Sequence, residues 1–255
     1  MRSPSELPHI AADIIDLVRQ RRPRVHCITN AVAQTFTANV LLAAGAVPSM
    51  TIAPKEVAAF AGRADALLVN LGTFDGERQR ASLAAIAAVN KAHKPWVLDP
   101  VFIDRSLPRA AFAKRLLAKK PTTLRLNEAE FAALGGKPAD VAKFARSTAG
   151  KRSVIGLTGE RDLVCDARRM ATVANGHPLM AKVTAMGCAG SAFVAACLAV
   201  ENDPWRATAA ALIAFGVAGE LAAARARGPG SLAVEIIDAL HALDRVTLIE
   251  KAKVN

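Results

Sequence analysis

Five polar residues stand at or just after the ends of short apolar runs, and their types suit phosphate chemistry. They are Asn30, Asp99, Arg125, Asn127 and Thr158. The forked guanidinium of an arginine can hold phosphate oxygens, and carboxylates suit a hard cation such as Mg²⁺. An aspartate before a proline also occurs in simple turns, and an arginine can be an ordinary surface charge. Polar residues therefore collect where a ligand site of an α/β protein would have to lie, and the pattern does not fix the role of each residue.

A second feature is the loop that enters an Ala-rich apolar helix at Gly187 and Cys188. Gly187 permits a close turn, and the free amides at a helix start bind phosphate well. A thiol at that position is near the positive end of the helix dipole, which predicts a lowered pKa for Cys188. The alternative is a small apolar residue that packs a crowded turn. Neither common glycine-rich phosphate motif occurs in the chain, so the loop alone does not decide between these alternatives.

The elements that must position these residues alternate along the chain. Apolar runs predict strands at 25–29, 48–52, 66–71, 96–99, 123–126 and 154–158, with a hairpin around 163–165. Helical spacing, capping residues and prolines predict helices between them and three helices at 187–201, 205–225 and 231–243. Strands alternating with helices imply a parallel sheet covered on both faces. We therefore expect one layered α/β/α domain over residues 1–255, with a mostly parallel central sheet and ligands at the carboxyl ends of its strands.

Length and composition limit the classes of protein. The chain has 255 residues, 52% of them hydrophobic and 22% charged, and a net charge of +11. These values exclude a disordered or disulfide-rich protein. The positive charge raises nucleic acid as a partner, but the basic clusters lie at the ends of different predicted elements and few aromatic residues are available for base stacking. We therefore interpret the charge as dispersed surface charge and expect no nucleic-acid partner.

The cysteines and the apolar segments address the compartment. The four cysteines form no C-x-x-C pair, which favours reduced and buried thiols. Residues 183–200 carry no charge over nearly the length of a membrane span, but their many small residues favour a helix buried in a large core. The sequence therefore predicts a cytoplasmic protein without a membrane role.

Seven segments in order give the chain a specific resemblance. They are Val25-His-Cys-Ile-Thr-Asn30, Thr37-Ala-Asn-Val-Leu-Leu-Ala-Ala-Gly-Ala46 with Pro48 and Met50, Asn70-Leu-Gly-Thr73, Leu98-Asp-Pro-Val101, Arg125-Leu-Asn-Glu-Ala-Glu130, Thr158-Gly-Glu160, and Asn175-Gly-His-Pro-Leu-Met180 before Lys182-Val-Thr184. Over nearly its whole length the sequence resembles the hydroxyethylthiazole kinase family of the ribokinase-like superfamily.

The resemblance implies transfer of the ATP γ-phosphate to the primary alcohol of 4-methyl-5-(2-hydroxyethyl)thiazole, a thiamine-salvage reaction that uses Mg²⁺. It places Cys188 where other ribokinase-like enzymes carry a catalytic aspartate. It implies that the thiazole pocket lies at a subunit contact of a homotrimer. The implied site comprises Asn30, Val32, Met50 and Ala185 toward the alcohol, Arg125, Asn127 and Thr158 toward ATP, and Asp99 and Glu130 toward Mg²⁺ and phosphate, with Asp99 also catalytic.

Two loops depart from the pattern of that family. Ala185 and Met186 stand where a glycine and a small residue are usual, and Phe102-Ile103-Asp104 replaces Gly-Ala-Gly after the Asp-Pro-Val segment. The departures leave three alternatives: the thiazole kinase, a kinase of another small alcohol, and a ligand-binding relative with weakened catalysis. Met50 as core filler and Glu130 as a surface charge also remain open at this point.

Overall fold

The computed structural model describes residues 6–148 and 153–255, whose strands form one eight-stranded sheet. The strands are β1 Arg24–Ile28, β2 Val47–Ser49, β3 Ala66–Asn70, β4 Trp96–Asp99, β5 Thr123–Asn127, β6 Val154–Thr158, β7 Asp162–Cys165 and β8 Met170–Val173. Their order in the sheet is β2-β1-β3-β4-β5-β6-β7-β8. The pairs from β2 to β6 are parallel, whereas β7 and β8 add as antiparallel strands. The predicted mostly parallel sheet is confirmed.

Eleven α-helices cover this sheet in the described part of the chain. They are α1 Leu7–Arg21, α2 Gln34–Ala43, α3 Val57–Arg63, α4 Gly76–Lys91, α5 Leu107–Leu117, α6 Glu128–Ala133, α7 Val141–Thr148, α8 Met186–Leu198, α9 Pro204–Ala223, α10 Pro229–Ala242 and α11 Arg245–Lys251. One apolar cluster joins a face of the sheet to α1, α2 and α8–α11. A second cluster joins the other face to α3–α7. The fold is therefore the expected three-layer α/β/α arrangement.

Both clusters follow from side-chain alternation along strands that are apolar throughout. In β3, Leu68 belongs to the first cluster, whereas Leu67 and Val69 belong to the second. Successive side chains of a strand point to opposite faces, so a continuous apolar run fills both cores at once. Glycine and polar residues are then left for the strand ends, where the backbone leaves the sheet.

Some predicted bounds were wrong. The strand predicted at 48–52 is the three-residue β2, because Pro54 and the residues before α3 form a turn instead. Strand β8 and helix α11 were not predicted; both are short and lack a marked apolar period. The predicted end of one helix at Ala149 lies outside the described residues.

The uncharged stretch is a buried core helix, as predicted. In α8, twelve of the thirteen residues are buried. Of the helices in residues 6–148 and 153–255, α9 alone is long and apolar enough to span a membrane, and 78% of its apolar window is buried inside the protein. Helices buried to this extent pack a protein core. All four cysteines are free and buried, again as predicted.

The last residues of the chain lie against the far edge of the sheet. Thr172 in β8 donates its amide hydrogen to the Asn255 carbonyl over 2.7 Å and accepts the Asn255 amide over 3.1 Å. Val254 forms an antiparallel bridge with Val173. The edge at β8 is therefore partly covered by the chain itself.

Candidate functional site

A buried hydrogen-bonded group lies at the carboxyl end of β4. Asp99 is 2% exposed, and its Oδ2 accepts hydrogen bonds from Asn70 Nδ2 and Ser191 Oγ, each 2.7 Å long. Asn70 ends the neighbouring β3, and Ser191 lies one turn into α8. The three residues bring two strand ends and the buried α8 helix together around one carboxylate. Asp99 is therefore fixed by its surroundings and is more than a turn residue.

Glu130 lies beside this group and is buried, so the surface-charge alternative is wrong. Its Oε2 accepts the Asn127 amide over 3.0 Å, and Asn127 Oδ1 accepts the Glu130 amide in return, which makes a capping box at the start of α6. Its Oε1 accepts the Phe102 amide over 3.1 Å. One carboxylate therefore fixes both the start of α6 and the loop after β4.

Burial shapes the electrostatics of both carboxylates. Burial raises the pKa of Asp99, although Arg125 and the hydrogen bonds from Ser191 and Asn70 oppose the rise. Burial, and after it the negative charge of Asp99, raises the pKa of Glu130 to about 7. The effect of the Asp99 charge on the pKa of Glu130 indicates that the two carboxylates are neighbours. A positive charge placed between them would favour their ionised forms.

Arg125 links this acidic group to the start of α8. Its Nη1 donates to the Gly187 carbonyl over 3.1 Å, and its Nε is buried without a protein partner. A Cβ on Gly187 would lie 2.9 Å from the same Nη1, so the glycine makes room for the guanidinium. The Arg125 charge also lowers the pKa of nearby Asp162, which burial raises to about 6. Arg125 thus has donor capacity beside the α8 amides, as a phosphate ligand requires.

Cys188 lies in the first turn of α8 and is 8% exposed. The helix dipole predicted a lowered pKa for its thiol, and that prediction was wrong. Burial, followed by the negative charge of Asp99, raises the pKa to about 12, and an interaction with Asn70 opposes the rise only partly. Desolvation of a thiolate outweighs the partial charge of a helix end. The thiol is therefore neutral near pH 7.

Both departures from the family pattern occupy left-handed backbone. Ala185, which precedes α8, has a φ of 70°, and Phe102 has a φ of 61°. Glycine adopts this region freely, whereas a side chain with a Cβ is strained there by about 1–2 kcal/mol. The chain has kept a backbone shape suited to glycine while carrying alanine and phenylalanine. Strain of this kind is concentrated at functional sites.

A cavity of about 860 Å³ opens beyond the carboxyl ends of β5 and β6. Asn127 and Thr158 line it, as expected of residues that hold a nucleotide, whereas Arg125 lies outside the lining. Thr158 Oγ1 donates to the Leu126 carbonyl over 3.3 Å, which links the two strand ends. The cavity is lined by Phe102, Asp104, Arg105, Asn127, Glu128, Ala129, Leu157, Thr158, Gly159, Glu160, Arg161 and Leu163.

The residues predicted to bind the alcohol also lie beyond the carboxyl ends of the strands, but on the side of β1 and β2 rather than of β5 and β6. Asn30 follows β1, and its Oδ1 accepts hydrogen bonds from Thr73 Oγ1 and from the Val32 amide. Val32 is 73% exposed, while Met50 follows β2 and is half-buried against the first core cluster. The ends of β2 and β4 are three strand positions apart, about 14 Å at the usual spacing. Met50 is thus well separated from Asp99.

The carboxylates suit Mg²⁺, although they are not a complete cage. No group of three or more His, Cys, Asp or Glu side chains that could hold a metal ion occurs within residues 6–148 and 153–255. Asp99 and Glu130 supply two hard oxygen ligands whose raised pKa values fall in the presence of a cation. Mg²⁺ commonly binds one or two carboxylates and takes its other ligands from water and phosphate. The residues present therefore fit that ion.

Sequence reasoning left three participants out of the site. Asn70 was noted only as part of a motif, and Ser191 is a single hydroxyl in an apolar helix, which is a usable signal. Asp162 is the third acid near Arg125, and its Oδ1 accepts the Gly159 amide over 3.0 Å. It follows the Thr158-Gly-Glu160 segment closely, and that spacing could have marked it.

A larger cavity of about 1120 Å³ lies on the opposite side of the sheet from the carboxyl ends, where the strands begin. Its lining includes Trp96 and Val154, which begin β4 and β6, so it faces the amino ends of the strands. Arg169 in this cavity is paired with Asp166 and Asp203. Ligands of parallel sheets bind at the carboxyl ends, and the cluster around Asp99 lies at that end. Size alone does not make this second cavity the site.

The sheet order, the buried aspartate that joins the end of β4 to α8 and the cavity at the ends of β5 and β6 are those of an α/β kinase of the ribokinase-like class. A solved ribokinase-like superfamily protein from Enterococcus faecalis V583 shares the fold, with a TM-score of 0.65, 14% identity and coverage of 89% of this chain and 93% of that one. The hydroxyethylthiazole kinase family matches residues 15–246. The chain belongs to this family, for which ATP is the implied co-substrate.

Individual relatives agree with that assignment. The chain is 43% identical over 244 residues to a probable hydroxyethylthiazole kinase from Agrobacterium fabrum, covering 96% of this chain and 94% of the relative. The solved hydroxyethylthiazole kinase from Pyrococcus horikoshii superposes with a TM-score of 0.92 at 36% identity, covering 97% of this chain and 98% of that one. The resemblance identified from sequence segments is confirmed over nearly the full length.

Proposed function

We propose that the chain transfers the γ-phosphate of ATP to the primary alcohol of 4-methyl-5-(2-hydroxyethyl)thiazole. The observation that carries the proposal is the buried Asn70–Asp99–Ser191 group beside the first turn of α8. It combines a fixed carboxylate with helix-start amides and a nearby arginine. Phosphoryl transfer depends on positioning and charge neutralisation more than on covalent chemistry, and this arrangement supplies both. The name of the family and of its relatives supports the thiazole alcohol as substrate.

On the phosphate side, three parts of the chain act together. The amides of the first turn of α8 receive the transferred phosphate, because they are unpaired within the helix and lie at its positive end. Arg125 adds its guanidinium there, held in place by the Gly187 carbonyl. Asn127 and Thr158 contact the nucleotide in the cavity that they line. The nucleotide thus lies across the ends of β5 and β6 with its last phosphate toward Cys188.

On the acid side, Asp99 and Glu130 hold Mg²⁺, directly or through its waters. The ion supplies neutralisation of phosphate charge when it is bound. Glu130 keeps the start of α6 and the Phe102 amide in place at the same time, so it also positions the loop after β4. Both carboxylates have raised pKa values and can accept a proton more readily than a solvent-exposed carboxylate.

The proton of the alcohol goes to Asp99 in this proposal. Because burial keeps the Cys188 thiol neutral near pH 7, a thiolate base is disfavoured. Cys188 instead contacts the reacting alcohol as a hydrogen-bonding group and orients it toward the phosphate. Asp99 is an acceptor close enough for its charge to raise the pKa of the thiol. Cys188 and Asp99 are both catalytic residues in this assignment.

The alcohol lies between Asn30, Val32, Met50 and Ala185. Four large apolar side chains near this end are exposed: Val32 at 73%, Leu42 at 58%, Phe60 at 44% and Val47 at 40%. Val47 and Phe60 line one mainly apolar cavity, and contiguous exposed apolar surface is typical of protein contacts. We infer a homotrimer in which a neighbouring subunit closes the thiazole pocket at this face. Light scattering should give three chains for the unaltered protein; Phe60→Lys should dissociate it, and Leu107→Lys, at an 87% exposed site elsewhere, should not.

Other features support a cytoplasmic enzyme made of one domain over residues 1–255. The free buried cysteines suit a reducing compartment, and the described helices pack on a single sheet. The dispersed positive charge is background that favours anionic ATP and needs no nucleic-acid partner.

A phosphorylation assay tests the reaction. Steady-state rates with the thiazole alcohol and with hydroxymethylpyrimidine, at saturating ATP and Mg²⁺, should show a strong preference for the thiazole. Preference for the pyrimidine would replace the substrate assignment and keep the kinase. No turnover of any small alcohol by the folded protein would overturn the kinase proposal.

A ligand-binding relative with weak catalysis is the second candidate, and the strained Ala185 and Phe102 favour it. A side chain at either position narrows the approach that glycine leaves open. Calorimetry separates the candidates, because a binding relative would bind the thiazole alcohol but would not bind Mg-ATP. Binding of both ligands favours the kinase.

A further inference from the structure

The loop after β4 presents an aromatic side chain at the wall of the proposed nucleotide cavity. Ile103 donates its amide to the Pro100 carbonyl over 3.3 Å, which places Phe102 third in a four-residue turn, where a type II turn requires a positive φ. Ile103 is 2% exposed and belongs to the second core cluster. Its anchoring in the core turns Phe102 outward, and the Phe102 ring is 45% exposed.

Arg105 folds back over this ring. Its guanidinium carbon lies 5.2 Å from the centre of the Phe102 ring, and its backbone amide donates to the Phe102 carbonyl over 3.1 Å. Stacking on an aromatic face restrains a guanidinium while leaving the N–H groups along its edge available. The recorded ion pair of Arg105 is with the adjacent Asp104, at 3.4 Å, and its side chain is 74% exposed. The stacking thereby restrains an arginine side chain that is otherwise largely exposed.

The arm formed by residues 102–105 is tied to the reacting end of the site. Glu130 accepts the Phe102 amide, and the same carboxylate responds to the charge of Asp99. Phe102 and Arg105 line one part of the 860 Å³ cavity, and Thr158, Gly159 and Arg161 line another. Arg105 and Arg161 both line this cavity, and arginine guanidinium groups match the charge and geometry of a polyphosphate.

We propose that Arg105 binds the polyphosphate of the nucleotide and that Phe102 is the positioning residue that holds its guanidinium over the cavity. This inference rests on the proposed function. It gives a role to Phe102, a departure from the family pattern that would otherwise only obstruct the site, and to the neighbouring Arg105. Arg105 adds the phosphate contact, while the Phe102 ring restricts the positions that the Arg105 side chain can adopt.

The test compares nucleotides that differ in phosphate number. Calorimetry with Mg-ATP, Mg-ADP and AMP is run on the unaltered chain, Arg105→Gln, Phe102→Ala and the double variant. Arg115→Gln, at an exposed position on α5, is the matched control. We expect Arg105→Gln to weaken Mg-ATP binding about tenfold or more, with a smaller loss for AMP, as for loss of a charged hydrogen bond. Phe102→Ala should also weaken Mg-ATP binding more than AMP binding. When Arg105 is already replaced, Phe102→Ala should cause little further loss of Mg-ATP affinity.

Each other outcome overturns the inference in a recognisable way. Equal losses for Mg-ATP and AMP would assign Phe102 and Arg105 to the base or sugar. Additive losses in the double variant would show that the ring does not act through Arg105. Behaviour of Arg105→Gln like Arg115→Gln, with Mg-ATP still bound, would overturn the inference and leave the proposed function standing. No Mg-ATP binding by the unaltered folded chain would overturn both.

Discussion

Ser191 donates a 2.7 Å hydrogen bond from Oγ to Oδ2 of Asp99 and so ties the second turn of α8 to the end of β4. Asn70 donates to the same oxygen, also over 2.7 Å. Both donors favour the ionised carboxylate and fix its orientation, while burial acts in the opposite direction on its pKa. The pair therefore joins the helix that carries Cys188 to the carboxylate that we propose as Mg²⁺ ligand and proton acceptor.

Ser191→Ala removes one of these two donors. We expect kcat to fall about tenfold with little change in KM for ATP, because orientation of the acid is lost while nucleotide contacts remain. The free energy of unfolding should fall by about 1–2 kcal/mol. Ser82→Ala is the control, since Ser82 is also a buried helical serine but donates to Arg78 within α4. An equal loss of kcat in both variants would contradict the assignment.

Cys188→Ala should leave the fold intact and reduce turnover more than thiazole binding, because we propose that the thiol orients the reacting alcohol. Cys188→Ser should retain most of the turnover, since a hydroxyl can replace a neutral thiol as a hydrogen-bonding group. Cys197→Ala alters another buried cysteine of α8 and should affect stability more than rate. Rates and melting temperatures of the three variants check this. An unchanged rate in Cys188→Ala would show that the residue only packs.

Gly187→Ala tests the space reserved for Arg125. The new Cβ would lie 2.9 Å from Arg125 Nη1, so the guanidinium must move away from the α8 amides. We expect KM for ATP to rise several-fold, in the direction of the larger rise expected for Arg125→Ala, and the two changes to be non-additive. Gly230→Ala, which meets nothing within 4 Å, should leave KM unchanged. Additive effects would place Gly187 and Arg125 in separate roles.

Ala185→Gly should stabilise the protein because the residue has a φ of 70°. Relief of left-handed strain should raise the free energy of unfolding by about 1 kcal/mol. Ala84→Gly, inside α4, should lower it by about the same amount through loss of helix propensity. Urea unfolding measures both. A destabilising Ala185→Gly would mean that contacts of the alanine methyl outweigh the backbone strain.

Glu130→Gln tests the electrostatics of the buried acids through pH. The pKa of Glu130 is raised from 4.5 to about 7 in the folded protein, so between these values the folded state binds more protons than the unfolded state. Stability should therefore fall as pH rises through this window, by on the order of 3 kcal/mol for this group. Glu130→Gln should flatten that slope in urea unfolding at pH 5 and 7.5. The control is Glu128→Gln, at an exposed position of α6, and a slope reduced equally by both would contradict the assignment.

The sequence correctly predicted that polar residues gather at the carboxyl ends of the strands, and the reason is physical. In a parallel sheet, the polar residues after apolar strands must gather at one edge, so Asn30, Asp99, Arg125 and Thr158 were placed there by topology alone. The contact of Ser191 with Asp99 could not be predicted, because it depends on how α8 lies against β4. The raised pKa of Cys188 depends on the depth of the thiol, which its neighbours in sequence do not reveal.

The backbone conformation of the two loops that depart from the family pattern could also not be predicted from residue types. The resemblance to the family marked Ala185 and Phe102 as departures from its usual residues. At Phe102 the left-handed conformation is held by a tertiary hydrogen bond, which the Phe102 amide donates to Glu130. Tertiary contacts have overruled local preference there, so the residue types alone could not give the loop shape.

The two outer strands of the sheet, β2 and β8, affect how the protein could aggregate or assemble. The terminal residues cover part of β8, and β2 at the other end has only three residues, with Pro48 at its centre carrying no amide hydrogen. An edge of this kind is a poor template for a strand from another chain. Growth of the sheet from molecule to molecule is therefore discouraged at both ends. A subunit contact at the β2 side must rely on side chains such as Phe60, which favours a closed ring of copies over an endless ribbon.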